Sequence, residues 1–235
     1  MASAGAIRDD LVKALIPQLG PVVGYKAGLT SAPAQARFGV STPVRGTLLR
    51  DMLLQNGATL DAAFGARPMV EGDLLVRVRS GAIHDATTRA EALAALDMVI
   101  PFLELPDLMV APGVSLDGNA ITAINVGARY GIMGMPIPLS GDGWLERFGK
   151  LEVMLLDQDG DEIATGGGAD LLGHPMEVVL WLARSLERDG IRLKPGDLLS
   201  LGSLTPLIPA REGRVRAIYK GLSPAGDMEI RVRFR

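Results

Sequence analysis

Two carboxylates stand two residues apart at the head of a strand-like run, and no other stretch restricts the possible folds as much. Residues 67–78 read Arg67-Pro68-Met69-Val70-Glu71-Gly72-Asp73-Leu74-Leu75-Val76-Arg77-Val78. In an extended strand, residues i and i+2 project from one face, so Glu71 and Asp73 converge while Val70, Leu74 and Val76 call for burial. Two like charges side by side are relieved by a cation. A third acid is at hand in Ile100-Pro101-Phe102-Leu103-Glu104-Leu105-Pro106-Asp107, an apolar segment in which a lone carboxylate needs a partner. Three oxygen ligands suit Mg²⁺ or Mn²⁺ and leave positions for water and substrate. The same spacing also fits a solvated strand face and an unrelated acid in a loop, because acids two apart are common on exposed strands.

Composition narrows the function classes. The 235 residues are 48% hydrophobic with a mean hydropathy of +0.24, enough for one large domain with a sizeable core. A net charge of -3 and a pI of 5.5 argue against nucleic acid, which calls for a basic excess, and favour a small polar substrate or a protein partner. With no cysteine, disulfides, thiolate catalysis and cysteine-ligated zinc are excluded; with two histidines, His84 and His174, so is a three-histidine zinc site within one chain. No apolar run approaches a membrane span, and the start has no signal pattern. A soluble chain is expected, cytoplasmic by default and periplasmic if a signal peptide has been removed.

Residues 7–19 have helical apolar spacing that stops near Pro17 and Gly20. The next segment, residues 22–31, reads as a strand running into a glycine turn, with Lys26 embedded among small and apolar residues as an ion-pair partner or an active-site cation. Residues 32–38 read as a helical turn and residues 47–54 as a strand carrying Asp51, a general base or a strand-edge charge. Thr88 and Glu91 have capping-box spacing, predicting a helix through Leu93, Leu96 and Met98 that ends at Pro101 and delivers Glu104 just downstream. Asn125 and Arg129 lie among small residues; the asparagine either faces a cavity or bonds its own backbone in a turn.

Residues 150–163 predict a hairpin turning at Asp159-Gly160, whose acids miss the calcium-loop spacing; Gly166-Gly167-Gly168 lacks the Lys-Ser/Thr of a phosphate loop. His174-Pro175 opens the clearest helix, with Val178, Trp181, Leu182 and Leu186 on one face and His174 as its cap. A buried strand and a glycine loop follow at residues 195–205, and two alternating strands close the chain with one wet face.

Five segments, in this order, resemble the 2-keto-4-pentenoate hydratase group of the fumarylacetoacetate hydrolase superfamily, which also includes 4-oxalocrotonate decarboxylases. They are Gly24-Tyr25-Lys26-Ala27-Gly28-Leu29-Thr30-Ser31, Pro68-Met69-Val70-Glu71-Gly72-Asp73, Phe102-Leu103-Glu104-Leu105-Pro106-Asp107, Leu172-Gly173-His174-Pro175 with its helix, and Gly202-Ser203-Leu204-Thr205. The resemblance implies an α+β, β-rich fold, a mixed β-sandwich roll with a few flanking helices, spanning residues 1–235 as one catalytic domain behind a short N-terminal region. It implies Mg²⁺ or Mn²⁺ held by Glu71, Asp73 and Glu104, with Lys26 and Asp51 as active-site groups and Asn125, Ser203 and Thr205 lining the substrate pocket. The implied activity is that of a lyase of aromatic catabolism, adding water to a small unsaturated 2-oxo or 2-hydroxy acid of the 2-hydroxypenta-2,4-dienoate type. The metal would chelate the acid and drain charge from its enolate. A homo-oligomer is implied as well. Decarboxylation or C–C hydrolysis on the same scaffold is the alternative, as is a binding protein without catalysis. Asp73 is an aspartate where the family has glutamate, and Ile124-Asn125 stands for its Asp-Asn pair.

Overall fold

The computed structural model describes residues 3–111 and 113–235. Its elements run α1 (Ala4–Leu19), β1 (Val22–Gly28), α2 (Ala32–Arg37), β2 (Val44–Leu49), β3 (Leu53–Gln55), β4 (Thr59–Leu60), β5 (Met69–Val78), α3 (Arg89–Ala94), β6 (Leu96–Leu105) and α4 (Gly118–Ala123). The second half continues with β7 (Tyr130–Met133), β8 (Ile137–Pro138), α5 (Trp144–Lys150), β9 (Glu152–Leu156), β10 (Glu162–Gly167), α6 (Pro175–Arg188), β11 (Leu198–Ser200), β12 (Ile208–Pro209), β13 (Gly213–Ser223) and β14 (Gly226–Phe234). The larger sheet has the order β2-β1-β11-β5-β6-β7-β3, with β12 paired to β5 and β8 to β6; the smaller runs β10-β9-β13-β14-β4. The larger sheet is mixed, because β1 meets β11 and β3 meets β7 in parallel while its other pairs are antiparallel. A β-rich α+β architecture is therefore what the chain adopts.

Local chemistry sets the starts of four helices. Ser31, Thr88 and Asp117 cap α2, α3 and α4, each accepting a backbone N–H three residues on, and Glu91 closes the expected box at α3. His174 caps α6, its Nδ1 accepting the Met176 N–H at 3.1 Å, and Val178, Leu182 and Leu186 are buried beneath that helix. Trp181, expected in the core, packs against it while remaining half-buried.

Two expectations are corrected. The helix opened by Thr88 stops at Ala94 and does not run to Pro101; residues 96–105 form β6. Eight residues of β6 pair with β5, and that long-range ladder outweighs the helical spacing of Leu93, Leu96 and Met98, aided by the β-branched Val99 and Ile100. Pro101 is tolerated in mid-strand because it lies where the partner on that side changes from β7 to β8. The strand expected over 47–54 is likewise interrupted by a 3₁₀ turn, Arg50–Met52, which places Asp51 on the surface.

The main core cluster takes residues from both sheets, among them Leu74, Val76 and Leu103 from the larger and Val153, Leu155 and Val232 from the smaller. One polar contact crosses between the sheets at its centre. Tyr219 of β13 is fully buried and donates its hydroxyl to the Phe102 carbonyl at 2.5 Å, with the Asp73 carbonyl at 3.0 Å; Asp73 and Phe102 are cross-strand partners in β5 and β6. The smaller sheet is thus hydrogen-bonded to the backbone that carries the acids. Tyr219→Phe leaves those carbonyls buried without their donor, so urea denaturation is expected to show a loss of about 1–3 kcal/mol; an unchanged midpoint would mean the contact carries no stability.

Candidate active site

The larger sheet brings Glu71 and Glu104 together because they are register partners in the antiparallel β5–β6 pair. Both are buried, as is Asp73 two residues on. Lys26, on β1, lies two strands beyond β5, yet its ammonium pairs with Glu104 Oε1. Three inter-strand steps of about 4.8 Å separate β1 from β6 in a flat sheet, so the contact is made across the concave face of a curled one. A second bond, 3.0 Å, runs from Lys26 Nζ to the Val126 carbonyl.

The glycine loop after β11 completes the cluster. The Ser203 hydroxyl bonds Glu71 Oε2, and Ser200, at the end of the otherwise apolar strand β11, bonds Asp73 Oδ2. Asp73 Oδ1 also accepts the Leu201 N–H at 3.1 Å and the Leu74 N–H at 2.5 Å, so three protein donors fix its carboxylate. Thr205 accepts the Gly72 N–H at 2.9 Å and pins the backbone between the two acids. A side chain at Gly72 would put its Cβ 2.9 Å from Val153, so this position holds β5 close against the second sheet.

Three buried carboxylates face one buried ammonium, and the mismatch shows in their protonation. Burial, followed by the charge of Glu104, pushes Glu71 up to about 8, and the same two causes raise Asp73 well above the carboxylate range. Among the described residues no three acidic or histidine side chains stand in a ready coordination geometry, and Lys26 takes one oxygen of Glu104. The other, Glu104 Oε2, is buried with no hydrogen-bond partner among the described residues. An unpartnered carboxylate oxygen beside a second acid is what a hard divalent cation would engage, and the oxygen-only donor set suits Mg²⁺ or Mn²⁺.

Of the residues singled out in the sequence, the fold gathers Lys26, Glu71, Asp73, Glu104 and Ser203. Asn125 is wholly buried, and both ends of its amide are taken by the backbone of Thr47. The Thr205 hydroxyl is engaged by the strand backbone at Gly72. Asp51 is exposed and bonded to its neighbour Arg50, and that guanidinium holds its carboxyl below the usual range. Sequence reading missed Ser200 and Tyr219. A lone hydroxyl in Leu198-Leu199-Ser200-Leu201 was the available signal for the first; nothing local marks the second, whose partners lie more than a hundred residues away.

Comparisons with known proteins meet this geometry. No family model matches the chain. A 4-oxalocrotonate decarboxylase structure from Pseudomonas putida G7, complexed with magnesium and adipate, superimposes with a TM-score of 0.85 over 99% of this chain and 85% of that one, at 25% identity. A fumarylpyruvate hydrolase structure from Pseudomonas aeruginosa, in complex with Mn²⁺ and pyruvate, shares the fold at a TM-score of 0.64 and 16% identity, over 90% of this chain and 89% of that one. The architecture is thus that of the fumarylacetoacetate hydrolase family. A 2-keto-4-pentenoate hydratase of Paraburkholderia xenovorans (strain LB400) is 32% identical over 194 residues, 83% of this chain and 70% of the relative. The chain belongs to the 2-keto-4-pentenoate hydratase and 4-oxalocrotonate decarboxylase group of that family.

The raised acids make stability depend on pH with an unusual sign. The folded chain holds protons on Glu71 that the unfolded chain releases near 4.5, so stability falls as pH rises from there to about 8. Glu71→Gln removes that dependence at this position. Thermal unfolding with a chelator present is expected to show the variant gaining on the parent protein as pH rises across this window; a constant difference would mean that Glu71 is not buried as a strained carboxylate.

Proposed function

We propose that the chain is a divalent-metal-dependent hydro-lyase that adds water to a small unsaturated 2-oxo or 2-hydroxy acid of the 2-hydroxypenta-2,4-dienoate type. One observation carries the reading: a buried lysine is locked to Glu104 beside Glu71 and Ser203, in a chain 32% identical to a 2-keto-4-pentenoate hydratase. Glu71, Asp73 and Glu104 would hold Mg²⁺ or Mn²⁺, with Asp73 kept in place by Ser200 and two backbone N–H groups. The metal, when bound, supplies Lewis-acid polarisation of the substrate's oxygens.

Lys26 has three N–H donors and spends two on Glu104 and the Val126 carbonyl. The third is left to bind and orient the substrate carboxylate, and the surrounding apolar strands keep bulk water from that contact. Ser203 holds Glu71 by its outer oxygen, so the glycine loop and the acid strand act as one wall of the site. Asp51 takes no part in this reading, because its hydrogen bonds go to Arg50. A homo-oligomer belongs to the same reading and follows the family resemblance.

Decarboxylation of a related 2-oxo acid is the second reading, favoured by the TM-score of 0.85 to a 4-oxalocrotonate decarboxylase. The two part on what leaves the substrate. Incubation with 2-hydroxypenta-2,4-dienoate and Mg²⁺ or Mn²⁺ is expected to consume the dienol chromophore without releasing CO₂, and Lys26→Met to slow turnover by about 10²-fold. CO₂ release from 4-oxalocrotonate with an inert dienoate would select the decarboxylase. Full turnover in chelator or in the Lys26→Met protein would overturn the metal-and-lysine site altogether.

A further inference from the structure

Three consecutive residues of the segment behind Lys26 have left-handed backbone: Asn125 at φ 58°, Val126 at φ 55° and Gly127 at φ 68°. Glycine adopts this conformation freely and asparagine tolerates it, but a β-branched residue such as Val126 is strained there. Strain of this kind persists only where the surroundings over-determine it, and it clusters at functional sites.

The surroundings here are specific. The Asn125 amide grips the backbone of Thr47 at both ends, with Oδ1 accepting the Thr47 N–H at 2.7 Å and Nδ2 donating to the Thr47 carbonyl at 2.9 Å. Thr47 lies on β2 opposite Tyr25, one residue from Lys26, so the clamp fastens the turn to the strand pair that carries the lysine. The turn also lies tight against that pair. A Cβ at Gly46 would come 2.6 Å from the Asn125 carbonyl, and one at Gly28 would come 2.4 Å from the Val126 side chain. In this position the Val126 carbonyl accepts the second N–H of Lys26 at 3.0 Å.

We propose that Asn125 is a positioning residue for Lys26. By clamping Thr47 it holds the Val126 carbonyl under the ammonium. With Glu104 and Val126 each taking one N–H, the direction of the third is fixed. Neither Asn125 nor Val126 has to touch the substrate; they act by denying Lys26 its rotational freedom. The inference rests on the proposed role of Lys26 in turnover, but the clamp itself is readable without turnover.

The test uses two variants of the full chain. Asn125→Gly removes the amide while accepting the left-handed backbone without strain, and Asn125→Ala removes the amide and keeps a side chain. Lys26 is the one buried lysine of five, so its ¹³Cε signal in lysine-labelled protein stands apart and is assigned by its disappearance in Lys26→Met. In both variants that signal is expected to broaden or move toward the exposed lysines. The kcat for 2-hydroxypenta-2,4-dienoate is expected to fall by about 10²-fold, with Mn²⁺ affinity within a few-fold of the parent's. A Lys26 signal unmoved in either folded variant would overturn the clamp, as would a loss of kcat matched by loss of metal binding, which would mark a general structural defect. A shifted signal in a chain whose parent form consumes no dienoate would support the clamp and overturn the proposed activity.

Discussion

The ion pair between Lys26 and Glu104 is the contact on which the rest of the molecule depends. Its partners come from β1 and β6, with β11 and β5 between them, so it forms only on a curled sheet. Both side chains are almost completely buried, and removing either partner from such a pair costs about 3–5 kcal/mol because the other charge is left uncompensated. The pair still does not balance the site. Glu71 and Asp73 add two more carboxylates to the same buried region, and the strain appears as their raised affinity for protons. Protons and a divalent cation are alternative remedies for one electrostatic excess, so a cation bound there would displace protons.

Rigid elements surround that excess. The acids lie on the two longest strands of the larger sheet, whose backbone is tied to the second sheet by Tyr219. Thr205 pins Gly72 between the acids, while Ser200 and Ser203 each bond one of them. Hydroxyl groups from the end of β11 and the loop after it thus orient two carboxylates, and an amide from a distant turn orients the lysine. Sites built on strands in this way hold geometry more closely than sites built on free loops. The aspartate at position 73 fits the same pattern: it is one methylene shorter than glutamate, and Ser200 lies within reach to receive it.

Much of this was legible in the sequence, and the exceptions have physical causes. Spacing of two along a strand placed Glu71 and Asp73 on one face, and the capping signals at Thr88 and His174 located helix starts correctly. The end of α3 was misread because helical spacing in Leu93, Leu96 and Met98 is a local signal, while the ladder with β5 that overrides it is not. The partner of Asn125 was not legible for a related reason: an amide among small residues reads alike whether it faces a cavity or a backbone, and Thr47 lies 78 residues away. Asp51 was carried in by family resemblance, yet the 3₁₀ turn sets it facing solvent beside Arg50. Lys26 could be read as a buried cation from its apolar flanks, but its partner on β6 came only with the fold.

Cation binding by the buried acids is the central claim, and calorimetric titration of the apoprotein with Mn²⁺ tests it most directly. One ion per chain is predicted to bind, more tightly when oxalate is present as a mimic of a chelating 2-oxo acid, with binding abolished in Glu71→Gln. Undiminished Mn²⁺ affinity in the Glu71→Gln protein, or no binding at millimolar metal by the parent chain, would contradict it.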